Sequence, residues 1–298
     1  MRDKKSQELK SQNVREVTFM ILRLPLTRII IGCAICAIVP LAINSFLKLI
    51  LKSSSLEEDA ARMIRASLFL VITLFTYYFL FRFYETRKIE ELSLRHLPKE
   101  GLLGMVGALL SISLVIFTFY LMGYYKVLLI NKSIFNVAYL LIIITSLAAF
   151  EEVLFRGIGY RIIEEKLGTN LALIISGLLF GLVHILNTNA TIMSIIGAGI
   201  GGALAGIMFS MTRRLWLPIF FHTGWNFAQV FYGITVSGIK GFLINAFYQS
   251  SLHGPDVLTG GAFGPENSII TIALTLILFI ILYRWTCENH RLIKLYWI

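Results

Sequence analysis

Charge is what this sequence has least of. Asp, Glu, Lys and Arg make up 15% of its 298 residues, against 57% hydrophobic residues, and the mean hydropathy is +0.77. A soluble domain is about a quarter charged. A chain of this size cannot hide so much apolar surface behind so few charges. The scarcity excludes a disordered chain, a fibrous repeat and an ordinary soluble enzyme. Cysteine is scarce too. Cys33 and Cys36 lie in the first long apolar run and Cys287 at the end of the last, which excludes a disulfide framework. Cys33-x-x-Cys36 lacks the context of a redox fold and reads as small apolar filler. No internal repeat is visible, which counts against a symmetric transporter.

What the sequence does have is long apolar runs. A spanning helix needs about 20 largely apolar residues. Eight candidates occupy 29–50, 66–83, 101–122, 134–160, 171–186, 191–211, 218–237 and 268–285. The expected fold is all-α, a polytopic transmembrane helical bundle of about eight spans. Residues 1–28 form a cytoplasmic N-terminal segment with Arg2, Lys4, Lys5, Lys10 and Arg15. Residues 29–298 form one transmembrane domain, with a catalytic core in 134–237. The first run is too long for a signal peptide and no small-residue cleavage site follows it, so it reads as a retained span.

The net charge of +10 is spread over short breaks between apolar runs. A nucleic-acid module would gather it on one wet face, so no nucleic-acid partner is expected. The pattern instead suits an anionic lipid leaflet. With the N-terminus inside, roughly 20 basic residues fall in inner segments and roughly 7 in outer ones, so both termini are expected in the cytoplasm. Arg87, Lys88, Arg213, Arg214 and Arg291 are inner examples. The long segment 238–267 is outer and carries one basic residue, Lys240.

Ionisable groups inside spans are costly and mark function. In this chain they are Glu151, Glu152 and Arg156 in the fourth run, His184 in the fifth, and His222 with Asn226 in the seventh. Glu152 and Arg156 are i,i+4, so they can pair on one helix face. Glu151 is turned from Glu152 by about 100° and can face a different neighbour. Phe180 and His184 share a face by the same spacing, as do His222 and Asn226. Taken singly, an intramembrane His or Asn often only bonds a neighbouring helix, and a Glu pair at a helix end is often a solvated cap. Taken together on three helices, they require a shared wet cavity.

Glu151-Glu152-x-x-x-Arg156, then Phe180-x-x-x-His184, then His222-x-x-x-Asn226 resembles the CAAX-protease and bacteriocin-processing family. Its members include type II prenyl-protein endopeptidases and bacterial Abi-type intramembrane proteases. The resemblance covers about residues 140–235. The stretch 259–266, Thr-Gly-Gly-Ala-Phe-Gly-Pro-Glu, is similar to a loop before the last helix in bacterial members, and also reads as a Gly-Pro turn feeding a helix start. The resemblance implies an intramembrane endopeptidase with catalytic residues Glu151, Glu152, Arg156, His184, His222 and Asn226. Glu151 would be the base, with His184 helping to activate water. His222 and Asn226 would bind the oxyanion, and Glu152 with Arg156 would support the site. No Ser or Cys stands beside them as a nucleophile, which favours direct attack by water.

Two other classes remain open: a non-catalytic membrane regulator that keeps the cavity, and a small-solute or ion transporter. The implied substrate is a membrane-associated peptide or protein, such as a bacteriocin, a pheromone precursor or a lipidated C-terminus. The bacterial-type loop points to a bacterial cell membrane. No metal is favoured. The alternative is zinc held by Glu151, His184 and His222 with Glu152 as base; it would take Glu152 from Arg156, and the H-E-x-x-H spacing is missing. One tension stands. His184 lies about 13 residues, or roughly 20 Å, into the fifth span, deeper than Glu151 and His222 unless that helix starts early, at Gly168-Thr169-Asn170.

Overall fold

A computed structural model describes residues 20–53 and 56–295; the predicted basic segment before residue 20 lies outside the described residues. The long helices are α1 (Pro25–Lys52), α2 (Glu58–Tyr84), α3 (Leu97–Leu121), α4 (Ile134–Glu152), α5 (Arg161–Val183), α6 (Ile192–Thr212), α7 (Trp216–Phe231) and α8 (Ile269–Glu288). Among the described residues, six helical stretches are long and apolar enough to cross a membrane, among them Ile134–Leu186, which runs through α4 and α5. The helical membrane protein read from the sequence is therefore the architecture observed.

The link between α4 and α5 is the π-helix Val153–Tyr160. The helical rod does not stop at residue 160, as its apolar pattern suggests, but continues to Gly168. There the backbone turns through φ 73°, ψ 168°, a region open essentially to glycine. A Cβ at this position would also lie 2.9 Å from the Ile293 carbonyl oxygen. The turn is clasped by the C-terminal tail. Thr169 N–H donates to Ile293 O at 2.9 Å, and Ile293 N–H donates to Thr169 Oγ1 at 2.8 Å.

This hairpin resolves the depth tension. Glu152 and His184 lie sixteen residues on either side of Gly168, roughly 24 Å of helix rise each way. The two side chains line one cavity, as an outgoing and a returning arm of equal residue count allow.

Glycine sets the helix spacing at two crossings. A Cβ on Gly181 would sit 2.5 Å from Ile195 O, and one on Gly202 would sit 2.8 Å from Phe180 Cβ, so α5 and α6 meet backbone to backbone. Gly104 of α3 approaches α7 as closely, its Cβ position lying 2.7 Å from Leu217 O. Not every glycine of α6 serves the α5–α6 seam. Gly197 instead receives the Glu266 carbonyl, and Gly201 lines a cavity.

Arginines gather at the end of the bundle that holds the Gly168 turn. Arg28, Arg87 and Arg161 all bond Glu85. Arg213 bonds Glu164, and Arg214 bonds Glu100. Burial alone would raise the Glu85 carboxyl; Arg161, Arg87 and Arg28 override it and hold Glu85 below the usual carboxylate range.

Three features depart from the sequence expectation. The seventh run forms a helix only over Trp216–Phe231, starting before Pro218, which falls in the first turn where its missing N–H is harmless. The fold also contains a small sheet, β1 (Tyr125–Ile130) antiparallel to β2 (Tyr248–Leu252). The predicted outer segment 238–267 is not an open loop: it supplies β2, a helical turn at Asp256–Thr259 and the 3-10 turn Pro265–Asn267 against the bundle.

Candidate active site

Arg156 is the largest fully buried side chain among the described residues. It projects from the π-helix, a geometry that often marks functional sites. Its Nη1 donates to Glu152 Oε1 at 2.9 Å and its Nη2 to Gly202 O at 2.9 Å. The guanidinium lies 4.5 Å from the centre of the Phe180 ring. Gly202 thus has two uses: the missing side chain admits α5, and its carbonyl accepts from Arg156. The predicted Glu152–Arg156 pair is present and wholly buried.

Glu152 Oε1 has a second partner. His222 Nδ1 lies 2.9 Å from it. A carboxylate oxygen already receiving an arginine proton only accepts, so Nδ1 carries a hydrogen and Nε2 points away. Glu151 Oε2 lies 3.8 Å from that Nε2. His222 therefore stands between the two adjacent glutamates. Glu151 is turned off the face of Glu152, as the helix angle requires, and its side chain is 38% exposed while that of Glu152 is 1% exposed.

His184 sits where α5 tightens into a 3-10 turn. Its Nδ1 lies 2.8 Å from the Phe180 carbonyl oxygen. A carbonyl cannot donate, so Nδ1 carries a hydrogen, and in the neutral ring Nε2 then holds the lone pair. Phe180 packs against His184 with ring centres 4.7 Å apart, and also edges His222 at 6.1 Å. One aromatic ring thus touches both imidazoles and the arginine.

These groups border an open cavity whose empty space, its mouth included, is about 680 Å³. Glu152, Arg156, His184, His222 and Asn226 line it, so five of the six sequence-derived site residues meet at one cavity. Glu151 is placed at its edge through His222 rather than among the lining residues. Asn226, one turn beyond His222, makes no side-chain hydrogen bond among the described residues. Glu152 Oε2 and Arg156 Nε are buried with no partner there.

Sequence reasoning missed further residues of the cavity lining. Glu266, Ser237, Trp225, Thr271 and Thr275 also line the cavity. Glu266 accepts from Trp225 Nε1 at 3.1 Å, from Gln229 Nε2 at 3.1 Å and from Ser237 Oγ. The Gly-Pro-Glu stretch was the available signal, and its reading as a plain turn is correct for the backbone but incomplete for the side chain.

Among the described residues, no group of three or more His, Cys, Asp and Glu is arranged to hold a metal ion. In this arrangement Glu152 is engaged by Arg156 and His222.

Carboxylates, imidazoles and a guanidinium around a cavity in an apolar helical bundle define a membrane protein with an intramembrane polar site. Residues 131–228, about a third of the chain, match the family described as type II CAAX prenyl endopeptidase, Rce1-like. All three motifs fall within the match, which supports the CAAX-protease family as the one the motifs resemble. The chain has no match among curated proteins or solved structures.

The buried pair yields a stability prediction. Arg156→Ala leaves buried Glu152 without its cation and the Gly202 carbonyl without its donor, and unfolding in detergent should show a loss of about 3–5 kcal/mol. Wild-type stability in that variant would contradict the pairing.

Proposed function

We propose that the protein is an intramembrane endopeptidase that hydrolyses peptide bonds of a membrane-associated peptide or protein with water activated by glutamate and histidine. The observation that carries this reading is the placement of His222 between Glu152 at Nδ1 and Glu151 near Nε2, with His184 on the same cavity.

In this mechanism Glu151 takes a proton from water, and the resulting hydroxide adds to the scissile carbonyl carbon. His184 Nε2 accepts the second hydrogen of that water and fixes its direction. The developing oxyanion receives the Asn226 amide N–H, and His222 Nε2–H when that nitrogen is protonated. The C–N bond then breaks as Glu151 returns its proton to the leaving amine, releasing a carboxyl and an amine product. Glu152 and Arg156 are positioning residues. Glu152 fixes the His222 ring as a buried carboxylate fixes the histidine of a catalytic triad, and Arg156 holds Glu152.

The metal-free route is supported by Glu152 being engaged with Arg156 and His222. Glu151→Gln should abolish cleavage of a membrane-anchored test peptide while the variant still inserts and purifies as wild type. Turnover by that variant would refute Glu151 as base. Activity that disappears on exhaustive chelation and returns with stoichiometric zinc would refute the metal-free route.

For topology we propose eight crossings of a bacterial cell membrane with both termini in the cytoplasm. Support comes from the arginines clustered at the end of the bundle that holds the Gly168 turn. A cysteine introduced at Gly261 should react with an impermeant reagent in intact cells, and one at Arg213 only after lysis. The opposite pattern would invert the topology. The substrate classes that suit the reading are a bacteriocin, a pheromone precursor or a lipidated C-terminus, with the surrounding lipid as the second partner.

A further inference from the structure

The cavity has two acidic poles that differ in how their charge is met. At one, the Glu152 carboxylate is neutralised by Arg156 at 2.9 Å. At the other, Glu266 accepts from an indole N–H, an amide N–H and a hydroxyl. All three donors are neutral, and no cation among the described residues pairs with Glu266. An indole N–H only donates, so the arrangement suits an acceptor-only carboxylate. A carboxyl group held only by neutral partners in the wall of an intramembrane cavity is open to a cationic ligand and marks function.

The fold goes to some length to seat it. Gly264, with φ 114°, would place a Cβ 2.1 Å from Thr235 O, and a Cβ on Gly197 of α6 would lie 2.6 Å from Glu266 O. Two glycines thus admit the turn that carries the carboxylate against the bundle. Thr271 in the same wall has a buried hydroxyl with no partner among the described residues. Trp225, which bonds Glu266, offers the ring of an aromatic residue at the cavity surface, a favourable neighbour for a cation. Trp225 lies three residues after His222, so this pole is one helical turn from the groups assigned to the chemistry.

We propose that Glu266 is a specificity-determining residue that receives a basic group of the substrate, a lysine side chain or amine, beside the scissile bond. Trp225 and the Thr271 hydroxyl complete the subsite. The inference rests on the proteolytic reading only for the phrase "scissile bond"; the binding preference stands independently of it.

The test uses full-length protein in lipid nanodiscs and two blocked apolar peptides, identical except for one lysine or norleucine, with the position of that residue scanned along the peptide. At one position the wild-type protein should bind the lysine peptide about tenfold more tightly or better, and in Glu266→Gln that ratio should fall towards one. Equal binding at every position, or an unchanged ratio in the variant, would overturn the proposal. Should the variant fail to fold, wild-type protein alone decides: hexylammonium should displace the lysine peptide at lower concentration than 1-hexanol, and equal potency would overturn the proposal. Cleavage is scored separately. Lysine-selective binding without cleavage would remove the protease assignment and leave the subsite. Cleavage with no lysine preference would do the reverse.

Discussion

One carboxylate oxygen organises the centre of this protein. Glu152 Oε1 accepts from Arg156 on its own helix and from His222 on α7. Arg156 in turn reaches Gly202 on α6 and lies against Phe180 on α5. A single buried acceptor therefore ties together four of the helices around the cavity. In a low-dielectric interior such a network is strong when complete and costly when broken. The close α5–α6 crossing at Gly181 and Gly202 and the equal arms on either side of Gly168 can be understood as the geometry that lets those partners meet.

The same tie separates the roles of adjacent glutamates. Helix geometry turns Glu151 away from Glu152, so one is buried and committed to arginine and histidine while the other remains partly exposed. In the proposed reaction a committed carboxylate is suited to holding a ring in place, and a less encumbered one to exchanging a proton. Both imidazoles are oriented through Nδ1, by a carboxylate for His222 and by a main-chain carbonyl for His184, which leaves Nε2 of each available.

Much of this was legible in the sequence because the chemistry is written at helical spacing. Glu152 with Arg156, Phe180 with His184, and His222 with Asn226 each fall one turn apart, and intramembrane charge stands out against apolar neighbours. What was not legible depended on partners distant in sequence. The strand at Tyr125–Ile130 falls between two predicted spans and goes unmarked because its partner, Tyr248–Leu252, lies beyond α4 to α7. Gly168-Thr169-Asn170 is visible in the sequence as a possible helix start, but its clasp by Ile293, more than a hundred residues on, is not. Glu266 is carried by a turn whose backbone signal is plain, while its destination in the cavity is set by Trp225, Gln229 and Ser237.

The shared acceptor can be tested by a double-mutant cycle. Arg156→Met and His222→Phe would be made singly and together, and unfolding free energies measured in mixed detergent. If both side chains act through Glu152 Oε1, the effects will be non-additive, with a coupling of at least about 1 kcal/mol. Additivity within about 0.3–0.5 kcal/mol would mean that Arg156 and His222 are held independently, and would contradict the central place of Glu152 in the fold.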